Sequence, residues 1–164
     1  MADEKRYIDI MIESLQKKEK VLDGLLEKCD AQAKVIAEND YGDIAWDRFN
    51  VLIVEKEALI DKLNDLDDGF QALYDRVGDE LKENKESYKE EIKSMQALIK
   101  VLTDKGVSIR TKEEKNRARL ERVLSSAKKE IRQSRRSMAA ASNYYKSVSG
   151  GLSMDTSSKL DSKK

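Results

Sequence analysis

Proline and histidine are absent from this 164-residue chain, and cysteine occurs once. An average composition places about eight prolines in such a length. Without them, and with only seven glycines, little is left to punctuate a sheet or a loop-built active site. The missing histidine removes the commonest general base and metal ligand. One cysteine, Cys29, makes no internal disulfide and no cysteine-based zinc site. Aromatics at 5% and a mean hydropathy of −0.72 leave too little apolar side chain for a thick globular core. Nor is there a glycine-rich phosphate loop, a nucleophile elbow or a metal-spaced ligand cluster. Asp65, Asp67 and Asp68 lack EF-hand spacing and belong to the solvated face of a helix whose other face carries Leu63, Leu66 and Phe70. The expectation is a protein that is not an enzyme and uses no cofactor or metal.

Long apolar runs are missing too. Met1-Ala2-Asp3-Glu4-Lys5-Arg6 is charged and lacks the apolar core of a signal peptide. The longest apolar stretches, such as Val51-Leu52-Ile53-Val54, last one helical turn, far short of a membrane span. A cytoplasmic, reducing location without membrane insertion is expected. Cys29, on an apolar stripe, then reads as a small core residue and not as a reactive thiol.

What is present is charge, at 39% of residues, and heptad periodicity. Ile8, Leu15, Leu22, Cys29 and Ile36 recur every seven residues, with Met11 and Leu25 between them and Lys18 and Gln32 as polar lapses. A second seam holds Phe49, Leu63, Phe70 and Val77 at one position. Leu52, Leu59, Leu66 and Leu73 fill its other position, and Lys56 is the main lapse. It is one residue out of phase with the first, which predicts a break at Asn39-Asp40-Tyr41-Gly42-Asp43. Asp43 would be the following N-cap, with Tyr41 and Trp46 stapling the helix start. A third seam, Tyr88, Ile92, Met95, Ile99 and Leu102, is displaced by another single slip near Gly78–Ser87, where Ser87 and Glu90 suggest a capping box. It continues in phase through Gly106, Ile109, Glu113, Asn116, Leu120, Val123 and Ala127, so one long third helix is expected, not two.

These patterns define an all-α fold: an elongated antiparallel three-helix bundle or coiled coil with a long third helix and a flexible C-terminal tail. The helices are placed at about 3–38, 44–80 and 87–145, forming one domain over 1–145, with a Ser/Gly/Lys-rich disordered tail over 146–164. At 1.5 Å per residue the first two helices would be roughly 55 Å long and the third roughly 90 Å. About a third of the last helix then lacks a partner within the chain. Along that stretch the seam holds Glu113, Asn116, Glu130 and Ser134 among Leu120, Val123 and Ala127, with Ile131 just beside it, so the seam is adjustable. Met138, Tyr144, Tyr145, Val148 and Leu152 follow as isolated apolar anchors. Such anchors suit either folding on a partner or a plain fraying terminus.

The net charge of zero divides unevenly. Residues 1–100 hold 16 Lys+Arg against 25 Asp+Glu, a net of −9, and residues 101–164 hold 16 against 7, a net of +9. Lys128, Lys129, Arg132, Arg135 and Arg136 form a basic stripe at helical spacing. One reading is a surface for an acidic partner; another is a solvated face that complements the acidic first two helices. Single-strand nucleic-acid binding usually interleaves aromatics with such a stripe, and here there are none. No nucleic acid is expected.

The long first helix, the segment Leu52…Glu55-Lys56-Glu57-Ala58-Leu59-Ile60, the stretch Ile109…Asn116-Arg117-Ala118-Arg119-Leu120 and the Tyr-containing end with its Ser/Gly-rich tail resemble the FlgN-like flagellar export chaperones of bacteria. The resemblance spans roughly residues 7–164. It implies a cytosolic chaperone of the flagellar type III secretion system, without ATPase activity. Such a protein binds terminal helices of hook–filament junction (hook-associated) proteins and delivers them to the export gate. It also implies that the C-terminal helix and tail carry binding, which points to Met138, Tyr144, Tyr145, Val148 and Leu152. Two alternatives stay open: a sibling chaperone for the filament cap or flagellin, and a coiled-coil adaptor or self-associating rod, a homo-oligomer with no export role.

Overall fold

The computed structural model describes residues 2–37 and 40–148. Three helices account for nearly all of them: α1 (Ala2–Ile36, 35 residues), α2 (Trp46–Glu83, 38 residues) and α3 (Lys89–Val148, 60 residues). Among the described residues there is no strand. The heptad phases therefore give the number, order and relative lengths of the helices. The helix runs unbroken through Gly106, as the preserved phase requires.

Both breaks fall where the phase slips, but their local chemistry differs from the expected capping. Asp43 does not cap α2. It ends a single 3-10 turn, Tyr41–Asp43, with its N–H donating to the Asp40 carbonyl at 2.9 Å; the residue before α2 is Ala45, which has no side-chain cap. Aromatic packing holds this corner instead. The Trp46 indole Nε1–H donates to the Tyr41 carbonyl at 2.9 Å, and its ring lies 5.1 Å from that of Tyr41 and 5.8 Å from that of Phe49. At the second break α2 passes straight through Gly78 to Glu83. The chain reverses over 84–88, where the Asn84 N–H reaches the Glu80 carbonyl at 3.0 Å and the Tyr88 N–H reaches the Asn84 carbonyl at 3.2 Å. Ser87 makes no capping bond among the described residues, because α3 begins later than expected, at Lys89.

The described residues up to Arg119 form one compact unit and those from Leu120 onward a second. In the first, side-chain pairs rise together along α1 and α3, from Lys5–Glu91 (2.7 Å) to Lys105–Glu19 (2.7 Å) and Lys112–Asp30 (2.7 Å). Against α2 they run oppositely, from Lys18–Asp67 (2.6 Å) to the Lys28–Glu55 pair. α1 and α3 are thus parallel, with α2 antiparallel to both. Ile8, Met11, Leu15, Leu22 and Leu25 of α1 meet Val77 and Leu81 of α2, and Met95 and Leu102 of α3 close the core. Each such side chain contributes roughly 1.5–3 kcal/mol on burial, whereas an exposed ion pair contributes about 1 kcal/mol at most. The seams hold the bundle, and the charges select which helix faces which.

Candidate partner surface and a buried polar layer

Eight of the nine residues expected to bind a partner lie on α3 from position 120 onward. Val123 is buried, at 5% exposure, and Leu120 and Ala127 are half-buried. Ile131 (52%), Met138 (70%) and Tyr144 (66%) are exposed. Tyr145 and Val148 fall within α3, but their side chains are not among those described, and Leu152 lies outside the described residues. From Lys128 to Met138 every residue is exposed, so all faces of this stretch meet solvent. Positions 131, 138 and 145 recur every seven residues and define one narrow row. Lys128, Arg132 and Arg135 flank that row on one side, as 3.6 residues per turn requires.

None of Lys128, Lys129, Arg132, Arg135 and Arg136 takes part in an ion pair among the described residues. The carboxylates of α1 are instead met by Lys105, which bridges Glu19 and Asp23 at 2.7 and 2.6 Å, and by Lys112 on Asp30.

A feature that the heptad count alone does not reveal sits near the α1–α2 corner. The lapses of the three seams meet there. Lys56 of α2 pairs with Glu113 of α3 and donates to the Gln32 side-chain oxygen of α1 at 2.9 Å. The Cys29 thiol donates to Glu113 at 3.0 Å, and Asn116 Nδ2 donates to the Cys29 carbonyl at 3.0 Å. Gln32 and Asn116 are buried, and the Lys56 side chain is only 12% exposed. Burial, reinforced by the Glu113 carboxylate, pushes the Cys29 thiol up to about 12. Burial alone would raise Glu113; the hydrogen bonds from Lys56 and Cys29 overcome it and hold the carboxyl below its ordinary value. Cys29 is therefore a buried, protonated hydrogen-bond donor. The period of each seam fixes which face a lapse occupies but not its height on the neighbouring helix. The available signal is that each helix carries polar lapses toward this end of the bundle: Gln32 on α1, Lys56 on α2, and Glu113 and Asn116 on α3.

Among the described residues no group of three or more His, Cys, Asp or Glu is placed to hold a metal ion, and no helix is long and apolar enough to cross a membrane. The fold is that of a three-helix bundle with an extended third helix. No family model, curated protein or solved structure matches the chain.

Proposed function

We propose that the chain is an export chaperone of the flagellar type III system, which holds a terminal helix of a hook–filament junction protein along residues 120–148 and brings it to the export gate. The observation that carries this reading is the stretch from Lys128 to Met138, exposed on every face yet bearing Ile131 and Met138 one heptad apart. A helix in water spends its apolar row best against another helix, and a partner helix laid in this row would bury it at i, i+7 spacing. The resemblance of Ile109…Asn116…Leu120 to the chaperone family supports the choice of partner. No catalytic chemistry is assigned, in keeping with a binding protein working in the cytoplasm.

The test compares the full chain with a variant ending at Ala139, using purified junction proteins and calorimetric titration. At least a tenfold loss of affinity is expected in the truncated variant and in Ile131→Asp/Met138→Asp. Undiminished binding in both would remove residues 120–148 as the site. A self-associating rod would instead show a concentration-dependent dimer by light scattering, abolished by the same pair of substitutions.

A further inference from the structure

A second surface lies in the first unit, on the side where α2 and α3 face each other beyond α1. The cavity there has a volume of about 590 Å³. Its floor is the buried trio Met11, Leu81 and Met95, and its walls are Phe70 and Tyr74 of α2 and Ile92 and Ile99 of α3. Ile99 (47%) and Tyr74 (38%) are exposed, so the apolar lining opens to solvent. Gly78 deepens it: a Cβ at that position would stand 3.3 Å from the Tyr74 ring, which now lies over the bare helix backbone. Because α2 continues through Gly78 without a break, this glycine serves close packing and not chain reversal.

The rim sets the chemistry. Lys82, Lys85, Lys89 and Lys93 surround the opening with Glu86 the one acidic residue of the lining. All four lysines are exposed, and none makes an ion pair among the described residues. Lys5, Lys18, Lys28, Lys105 and Lys112 are paired with carboxylates across helices, so what sets the rim lysines apart is their clustering about one apolar opening. Four lysines against one glutamate make the lining itself basic, within residues 1–100 whose net charge is −9.

We infer that this groove is a docking site for an acidic amphipathic helix of a partner protein, separate from the surface at residues 120–148. The groove extends over Phe70–Lys82 on α2 and Lys89–Ile99 on α3, a span of about 15–18 Å, or three turns of a helix. That length admits apolar side chains at i, i+3, i+4 and i+7, while carboxylates on the flanks meet the lysines. The chain's own last residues, with Lys159, Lys163 and Lys164, carry the wrong sign to fill it.

The experiment uses the full chain and a fluorescein-labelled 18-residue peptide with Leu at i, i+3, i+4 and i+7 and Glu elsewhere. A second peptide replaces every Glu by Lys, and dodecanoate serves as a competitor. The Glu peptide is expected to bind at least tenfold tighter than the Lys peptide. Binding should fall at least tenfold in Lys85→Glu/Lys89→Glu/Lys93→Glu and in Ile99→Glu, both exposed changes that leave the thermal melt in place. Arg132→Glu/Arg136→Glu should leave it unchanged, which separates this groove from the proposed chaperone surface whether or not that surface proves correct. Equal binding of the two peptides, or insensitivity to the lysine reversals, would overturn the inference. So would displacement of the peptide by dodecanoate at lower concentration than by unlabelled peptide, or a homodimer that the lysine reversals dissolve.

Discussion

Gln32, Lys56, Glu113 and Asn116 each interrupt an otherwise apolar seam, and a one-dimensional pattern scores each as a loss. Brought together around Cys29, they are satisfied across three helices: Lys56 by Gln32 and Glu113, and Asn116 and Glu113 by the Cys29 carbonyl and thiol. Lys56→Ala would leave the Gln32 oxygen without its donor and the Glu113 carboxylate with only the Cys29 thiol. A loss of about 1–3 kcal/mol in urea unfolding is expected, the usual cost of orphaning a partly buried polar group. Replacing Gln32, Lys56 and Glu113 together by leucine should restore or exceed the original stability, since apolar packing commonly outperforms a buried ion pair. Loss of a single helix alignment, seen as doubled or broadened amide resonances, is the expected penalty. The acid limb of stability follows from the same group. A carboxyl held below its ordinary value stabilises the fold above the unfolded-state value, near 4.5, and that contribution disappears as pH falls through the folded value. Glu55 and Glu91, lowered by their hydrogen bonds from Lys28 and Lys5, act in the same direction. Stability should therefore fall below about pH 4.5, less steeply in Glu113→Gln. Cys29, with its thiol near 12, should resist disulfide reagents at pH 8 until denaturant opens the bundle.

Among the elements, the glycines separate helix-forming from packing roles. Gly69 and Gly106 sit inside α2 and α3, and a Cβ at either would meet nothing within 4 Å. Gly69→Ala and Gly106→Ala should each stabilise by about 0.5–1 kcal/mol, read as a rise in melting temperature. Gly24→Ala should gain less or lose stability, because its Cβ would stand 3.3 Å from a Leu59 methyl that must shift. A loss on Gly106→Ala would contradict an unbroken α3. The in-phase run from Leu102 to Ala127 made that continuity legible from the sequence, and the two slips located the corners. The corner chemistry was legible in part: Trp46 and Tyr41 hold the first corner, as their place at the helix start suggested, but by ring packing and a backbone hydrogen bond that leave Asp43 no capping role. The α2–α3 groove also stayed hidden. Its lysines occupy unremarkable surface positions in each helix and become a cluster only once the antiparallel pairing brings Lys82 beside Lys89 and Lys93.

Over the whole molecule, divided at the boundary between the two units, residues 1–119 hold 22 Lys+Arg against 28 Asp+Glu, a net of −6. Residues 120–164 hold 10 against 4, a net of +6, and how helix is maintained changes as well. Within residues 1–119 the helices share a core, and opening a core turn exposes side chains such as Met95 and Leu102 along with backbone. Between Lys128 and Met138 no residue is buried, so local opening of that stretch sacrifices backbone hydrogen bonds and little else. Protection against amide hydrogen exchange should consequently fall along one continuous α3. Core amides near Met95 and Leu102 should exchange only through global unfolding, and amides of 128–138 at least a hundredfold faster. The gradient gives the chaperone proposal a residue-level readout. A junction-protein helix seated on Ile131 and Met138 should slow exchange across 128–138 by tenfold or more while the already protected core changes little. An acidic helix in the groove between α2 and α3 should instead slow the α3 amides from Ile92 to Ile99 and leave 128–138 untouched. Uniform protection along α3 in the free chain would mean that residues 128–138 are already covered by another copy, and the rod reading would then replace the chaperone.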